Sequence, residues 1–318
     1  MHEKMRLSKN QIEQAKQILK MNKVTLLSQS LLRPYYEVFD SEISDTSLTN
    51  VLLWTNKYNF YFFIMDSYVF IVNIEPDRMY FSSPVGAYDD GGRVCEVLKS
   101  LKKTLETCGI PLVIKKSSEA FVKLLEQTSD FEIEVISSRD ESDYIYDYEP
   151  MRTLAGNKYH KKKNQVNKFI KTVENYYFRP YESNDFELVK QLMEKWCVER
   201  DCDNDSNLQY EFDGVMQYLE KSSVDHLLMG LLFIEEELQG FILGEIVSGN
   251  MLLIHVEKAN ADFPGIYQML GYEFYSMAYN DALLWINREQ DLGIEGLRKS
   301  KMSYHPARFV EKFEIIFK

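Results

Sequence analysis

Cysteine is scarce in this chain. There are four in 318 residues, at Cys95, Cys108, Cys197 and Cys202, and no C-x-x-C pair. That excludes a dense disulfide frame and predicts reduced thiols in a cytoplasmic protein. The five histidines, His2, His160, His226, His255 and His305, show no H-E-x-x-H or mixed Cys/His spacing, so no metal is expected. Basic residues are the minority. With 37 Lys and Arg against 49 Asp and Glu, the net charge is −12, which excludes a general nucleic-acid coat but not a local basic patch. Long apolar runs are missing as well. The stretch 60–74 is broken by Asp66 and Ser67 and is too short and too aromatic to span a bilayer, so any membrane role would be peripheral. No apolar core follows Met1-His2-Glu3-Lys4, so no signal peptide is expected.

What is present is ordinary globular material, 45% hydrophobic and 27% charged, in a chain long enough for two domains. The 21 Tyr and 19 Phe suit half-buried sheets and polar clefts. Periodicity predicts a helix over 8–21 capped by Ser8, a hairpin around Asp66-Ser67, a strand at 79–82, a helix from Val94 to Leu105, and a strand at 112–114. Ser118 caps a further helix, 131–136 alternates as a strand, and 143–147 closes the first domain, taken as 1–150. The second domain, 151–318, opens on a basic amphipathic helix at 158–171. It then reads β-α-α-β-β-β-α-β-α-β, with Ser183 capping a helix that turns Phe186, Leu188, Leu192 and Trp196 inward. Mixed sheets in an α/β arrangement follow, and a meander feeding a β-α-β crossover is the outline of the GNAT acyltransferase fold.

The segment from Asn287 to Tyr304 concentrates polar chemistry at the carboxyl end of a predicted strand, the edge where α/β sheets bind ligands. Asn287, Glu289 and Asp291 alternate and would share a side if extended. Arg298 and Lys301 lie three apart on a short helix and share a face. Such a cleft could hold an ammonium at one end and a phosphate or carboxylate at the other. The bland reading is that Glu289 or Asp291 caps the helix near Gly293 and Arg298 pairs with Glu295. Gly265, Ile266 and Tyr267 open a helix whose free amides suit a phosphate, or Pro264 is simply a good first-turn residue. Lys161, Lys162 and Lys163 suit a polyanion, or a solvated helix face. His226 and His255 read as satisfied structural histidines. Cys197 and Cys202 sit among acidic residues, which disfavours a thiolate nucleophile.

Taken in order, several motifs resemble one family: 143–147, 154–164, His255-Val256-Glu257-Lys258-Ala259, Gly265-Ile266-Tyr267-Gln268, 287–293, Leu297-Arg298-Lys299-Ser300-Lys301, Tyr304 and Pro306. It is a bacterial family similar to the C-terminal catalytic domain of phosphatidylglycerol lysyltransferase. The resemblance covers nearly the whole chain. It implies two tandem GNAT-like domains, the first degenerate, related to Fem-type aminoacyltransferases that move an aminoacyl group from a charged tRNA. It implies that Glu289 and Asp291, with Asn287, Glu257, Lys258 and Tyr304, bind the substrate. Arg298 and Lys301 would face the phosphate of the tRNA end or lipid and carry the catalysis, a backbone amide or Lys301 stabilising the oxyanion, and the basic helix would guide tRNA. No cofactor is required beyond the donor, aminoacyl-tRNA ahead of acetyl-CoA. The lipid-modifying relatives have a membrane-spanning N-terminal part; none is expected here, which argues against a lipid acceptor. The family's Lys-Arg-Asn is Lys162-Lys163-Asn164, and the several close glycines of a GNAT pyrophosphate loop are reduced to Gly265. Two alternatives stand beside this reading: a non-catalytic amino-acid or polyanion binding module, and an acetyl-CoA-dependent N-acetyltransferase.

Overall fold

The computed structural model describes residues 6–318; the readings made for residues 1–4 lie outside them. Helix α1 (Lys9–Ile18) starts where Ser8 implies. The Ser8 hydroxyl accepts from the Gln11 amide at 3.3 Å, and Gln11 Oε1 accepts from the Ser8 amide at 3.0 Å. There follow β1 (Asn22–Lys23), α2 (Gln29–Glu37), α3 (Leu48–Leu53), β2 (Phe60–Met65), β3 (Tyr68–Glu75) and β4 (Arg78–Phe81). Next come α4 (Gly91–Glu106), β5 (Val113–Ser117), α5 (Glu119–Thr128) and β6 (Ile133–Ser137). Ser118 caps α5 by accepting from the Phe121 amide at 3.1 Å.

The chain continues with β7 (Asp143–Asp147), α6 (Tyr148–Thr153), α7 (His160–Thr172), β8 (Tyr176–Pro180), α8 (Phe186–Arg200) and α9 (Ser206–Lys221). The meander β9 (Leu227–Ile234), β10 (Glu237–Val247) and β11 (Met251–Ala259) precedes α10 (Ile266–Met277), β12 (Trp285–Asn287), α11 (Glu295–Met302), β13 (Arg308–Val310) and β14 (Phe313–Phe317).

Two mixed sheets result, ordered β1-β2-β3-β4-β5-β14-β6 and β13-β7-β12-β11-β10-β9-β8. They belong to two compact units. One runs to Arg139 and resumes over Glu311–Lys318; the other is Asp140–Val310. This corrects the division at residue 150 in two places. Strand 143–147 does not close the first unit but lies inside the second sheet, pairing with β12 and β13. The single strand expected to end the second domain is two strands, β13 and β14, parted at residues 311–312, and β14 joins the first sheet between β5 and β6. Periodicity reports a strand's faces but not its neighbours.

The first unit buries Phe70, Leu98, Leu101, Ile114 and Ile315 completely. In the second, Leu252, Leu270, Phe274 and Ile286 form the centre of the core under α10. On α8 the inward residues are Val189, Leu192, Met193 and Trp196, while Leu188 is exposed. The helix begins at Phe186 after a 3-10 turn over Ser183–Asp185, which resets its phase, and Ser183 makes no cap bond. A second correction concerns the thiols. Asp201 ends α8 at φ 56° and folds the chain back, so Cys202 lies 5.0 Å (Cα–Cα) from Cys197 and the two sulfurs are bonded. Cys95 and Cys108 are free and buried. Among the described residues no helix is long and apolar enough to cross a membrane.

Candidate functional site

In the second unit β11 and β12 run parallel but pair over only three positions, ending at Leu253↔Asn287. Beyond that point β12 stops, while β11 continues to Ala259. The register against β10 slips at the same level. Leu243 opposes Val256 and Gly244 opposes Ile254, which leaves His255 as the extra residue of a β-bulge. A bulge inverts the alternation of everything after it. Leu252 and Ile254 pack beneath α10, and past the bulge Glu257 and Ala259 take that face.

A narrow cleft opens there, lined by Lys162, Glu257, Arg288 and Tyr304 with Gln268 and Tyr275, and walled by apolar parts of α6 and α10. Arg288 Nη2 donates to Glu257 Oε2 at 2.5 Å. The guanidinium carbon lies 4.9 Å from the Tyr304 ring centroid, and Lys162 Nζ lies 3.8 Å from the same centroid. Gln268 Nε2 donates to the Tyr304 hydroxyl at 3.2 Å, fixing the ring. Burial works against the charge of Arg288, but Glu257 outweighs it and keeps the guanidinium protonated. Burial, and then the charge of Arg288, push the Lys162 ammonium down to about 8.

Lys162 was one of three candidate lysines, and the helix selects it. Lys162, Val166 and Phe169 follow i, i+4, i+7 on α7; the latter two are buried, so Lys162 extends the inward stripe. Lys161 and Lys163 point to solvent. Strand alternation likewise separates Glu257 from Lys258. Lys258 leaves on the opposite face, where its Nζ bonds Glu211 at 2.7 Å and lies 3.8 Å from the Trp196 ring centroid, so it does not reach the cleft.

The loop after β12 corrects the expectation of three convergent side chains. It is not extended: Glu289 has φ 55° and Leu292 φ 53°. Asn287 is fully buried, its amide donating to Asp143 Oδ2 at 3.1 Å and its Oδ1 accepting from the Glu289 amide at 2.7 Å. Asp291 is equally buried and accepts from Tyr144, from the Gly293 amide and from Arg298. The Arg298 guanidinium also reaches Asp140 at 2.6 Å. Asp291 and Arg298 therefore hold each other and the loop. Glu289 turns to His255 Nδ1 at 3.2 Å, while His255 Nε2 meets Glu245 at 3.0 Å. Burial alone would lower the imidazole, but the two carboxylates push it up to about 9. Lys301 Nζ donates to the carbonyls of Arg288 and Glu289, a strut under the loop rather than a group facing the cleft. Burial and Arg288 bring it down to about 8.

Gly265 does not form an open phosphate loop. It has φ +91°, and a Cβ there would sit 2.3 Å from the Gln165 carbonyl oxygen, so α7 closes the approach. Ile266 is buried, and Tyr267 spends its hydroxyl on the Ala259 carbonyl at 3.1 Å.

The residue that sequence reasoning missed is Arg288. It lies inside the segment singled out, but strict alternation assigned it to the wrong side. The signal was its place one step past the strand end, where alternation stops.

Residues 36–316 match the family described as phosphatidylglycerol lysyltransferase, C-terminal. The uncharacterized protein MYCGA3080 of Mycoplasmoides gallisepticum is 25% identical over 190 residues, 58% of this chain and 59% of that protein, so the match spans about three fifths of that relative's length. A conserved protein of unknown function from Bacteroides thetaiotaomicron VPI-5482 superposes with TM-score 0.85 at 26% identity, over 94% of this chain and 100% of its own. L-PGS from Bacillus licheniformis shares the fold, with TM-score 0.64 at 14% identity over 90% and 91%. The chain belongs to the family of the phosphatidylglycerol lysyltransferase C-terminal domain.

Proposed function

We propose that the cleft of the second unit transfers an acyl group, with aminoacyl-tRNA as the donor and an amine or hydroxyl as the acceptor. Family and fold are those of GNAT-like acyltransferases. The observation that carries the finer reading is the convergence of Lys162, Glu257, Arg288 and Tyr304 where β11 and β12 separate. An aminoacyl ester is already activated, so positioning supplies most of the catalysis. With an amine acceptor, the nitrogen lone pair attacks the ester carbonyl, the carbon–oxygen bond to the ribose breaks, and the proton shed by nitrogen ends on the departing ribose oxygen. Glu257, held by Arg288, is the acid–base group the cleft offers for that shuttle. The exposed lysines of α7, Lys161 and Lys163 among them, suit the tRNA backbone.

Glu289, Asp291, Arg298 and Lys301 then act by holding the loop that presents Arg288. The closed start of α10 at Gly265 speaks against acetyl-CoA as the donor, because its pyrophosphate would need that approach. Filter binding of aminoacyl-tRNA and calorimetry with acyl-CoA test the reading directly. Aminoacyl-tRNA should bind, and Glu257→Gln should retain binding while losing transfer; an absence of donor binding by the wild type would refute it.

A further inference from the structure

The charges on the cleft wall do not balance. Two cations, Lys162 and Arg288, face one carboxylate, Glu257, and that carboxylate is already taken by Arg288. The neighbouring acids are committed elsewhere: Glu289 to His255, Asp291 to Arg298, and Asp143 to Asn287. Lys301 is turned to backbone carbonyls. The Lys162 ammonium has the Tyr304 ring as its partner and donates to no protein acceptor among the described residues. Both cations lie against that one ring, 3.8 Å and 4.9 Å from its centroid, and the charge of Arg288 acts on the half-buried Lys162 ammonium. Like charges held together in such a place repel, and a bound anion relieves the repulsion.

We infer that the cleft binds an oxyanion of its substrate, a carboxylate or a phosphate, between the Lys162 ammonium and the Arg288 guanidinium, and rejects a cationic aminoacyl side chain. The inference rests on the transfer reading for the identity of the cleft, and it names the chemical class that the cleft admits. The guanidinium fork suits two oxygens of one oxyanion, and the ammonium supplies a third donor. A lysyl side chain would meet two positive charges and find Glu257 occupied. The depressed proton affinity of Lys162 agrees with an ammonium waiting for a counter-ion. Two sources offer this chemistry: a phosphate at the donor's nucleotide end, or an acidic side chain on the aminoacyl group.

Titration calorimetry on the full chain at fixed ionic strength separates them, with inorganic phosphate, glutamate α-amide and lysine α-amide as probes. One of the two anions should saturate a single site, and the stronger one identifies the source. Lysine α-amide should not bind there. Lys162→Gln should weaken the anion by about tenfold or more, the loss of one charge-assisted hydrogen bond. Lys195→Gln, which removes an exposed charge from α8, should leave it unchanged. A second reading needs no variant: on wild-type protein with isotopically labelled lysine, anion binding should raise the titration of Lys162 above about 8. Equal affinity in Lys162→Gln, binding of lysine α-amide as tight as that of the anions, or no saturation by either anion overturns the inference. Anion binding without transfer would sink only the catalytic reading, and transfer without anion binding only this one.

Discussion

The Tyr144 hydroxyl donates to the Asp291 carboxylate at 2.5 Å, and so ties β7 to a loop that follows it by 147 positions. The same carboxylate accepts from the Gly293 amide at 2.8 Å and from both Nε and Nη2 of Arg298 at 2.9 Å. Asp291→Ala removes the carboxylate that the buried Tyr144 hydroxyl and the Gly293 amide share with Arg298. The expected loss is about 1–3 kcal/mol, chiefly the lost partner of the buried Tyr144 hydroxyl, since Gly293 is exposed and its amide can turn to water. Urea unfolding with an unchanged slope checks it.

His255 gives the stability a pH signature. Its pKa in the folded chain is raised to about 9 from an ordinary value near 6.5, so its contribution is fully present below about 6.5 and fades as pH rises through about 9. Thermal melts of wild type and His255→Gln should differ most near pH 6 and converge above pH 9. A gap that stays constant across that range means the imidazole is not held as a cation by Glu245 and Glu289.

Lys301 acts with the opposite sign. Its pKa is depressed to about 8, so its charge opposes folding below that value, and stability rises with pH between about 8 and the ordinary lysine value near 10.4. Lys301→Met removes that rise. It also takes the donor from the Arg288 carbonyl, while the Glu289 carbonyl keeps the Tyr144 amide, so the cost is about 1–3 kcal/mol where the Arg288 carbonyl is buried.

Gly265→Ala separates a packing role from a phosphate-binding role. At φ +91°, with the Gln165 carbonyl in the way, the substitution should cost about 2 kcal/mol or more. If instead the variant is as stable as wild type but binds donor poorly, Gly265 is a binding residue after all. Paired melts and donor-binding curves decide between the two.

Much of the fold could be read in advance because its signals are local. Ser8 and Ser118 cap the helices they precede, and the β9–β10–β11 meander is marked by its turns, where Glu235, Glu236 and Ser248 take positive φ. The placements of β7 and β14 could not be read, since an alternating strand carries no record of which distant strand it pairs with. At the site, Glu257, Lys162 and Tyr304 were named in advance and line the cleft. Lys258 was named and does not, because neighbours on a strand part to opposite faces. Asn287, Glu289 and Asp291 were expected to converge, but two positive-φ residues in their loop break the alternation that argument needed. The bulge at His255 left no mark in periodicity, yet it sets which way Glu257 faces.

Single-turnover transfer from radiolabelled aminoacyl-tRNA to an amine acceptor, measured on wild type, Glu257→Gln and Lys162→Gln, tests the account most directly. The wild type should transfer the label. Glu257→Gln should slow the step by about a hundredfold or more, as expected on losing an acid–base group, and Lys162→Gln should raise the substrate concentration required. Transfer at the wild-type rate in both variants would place the chemistry outside this cleft.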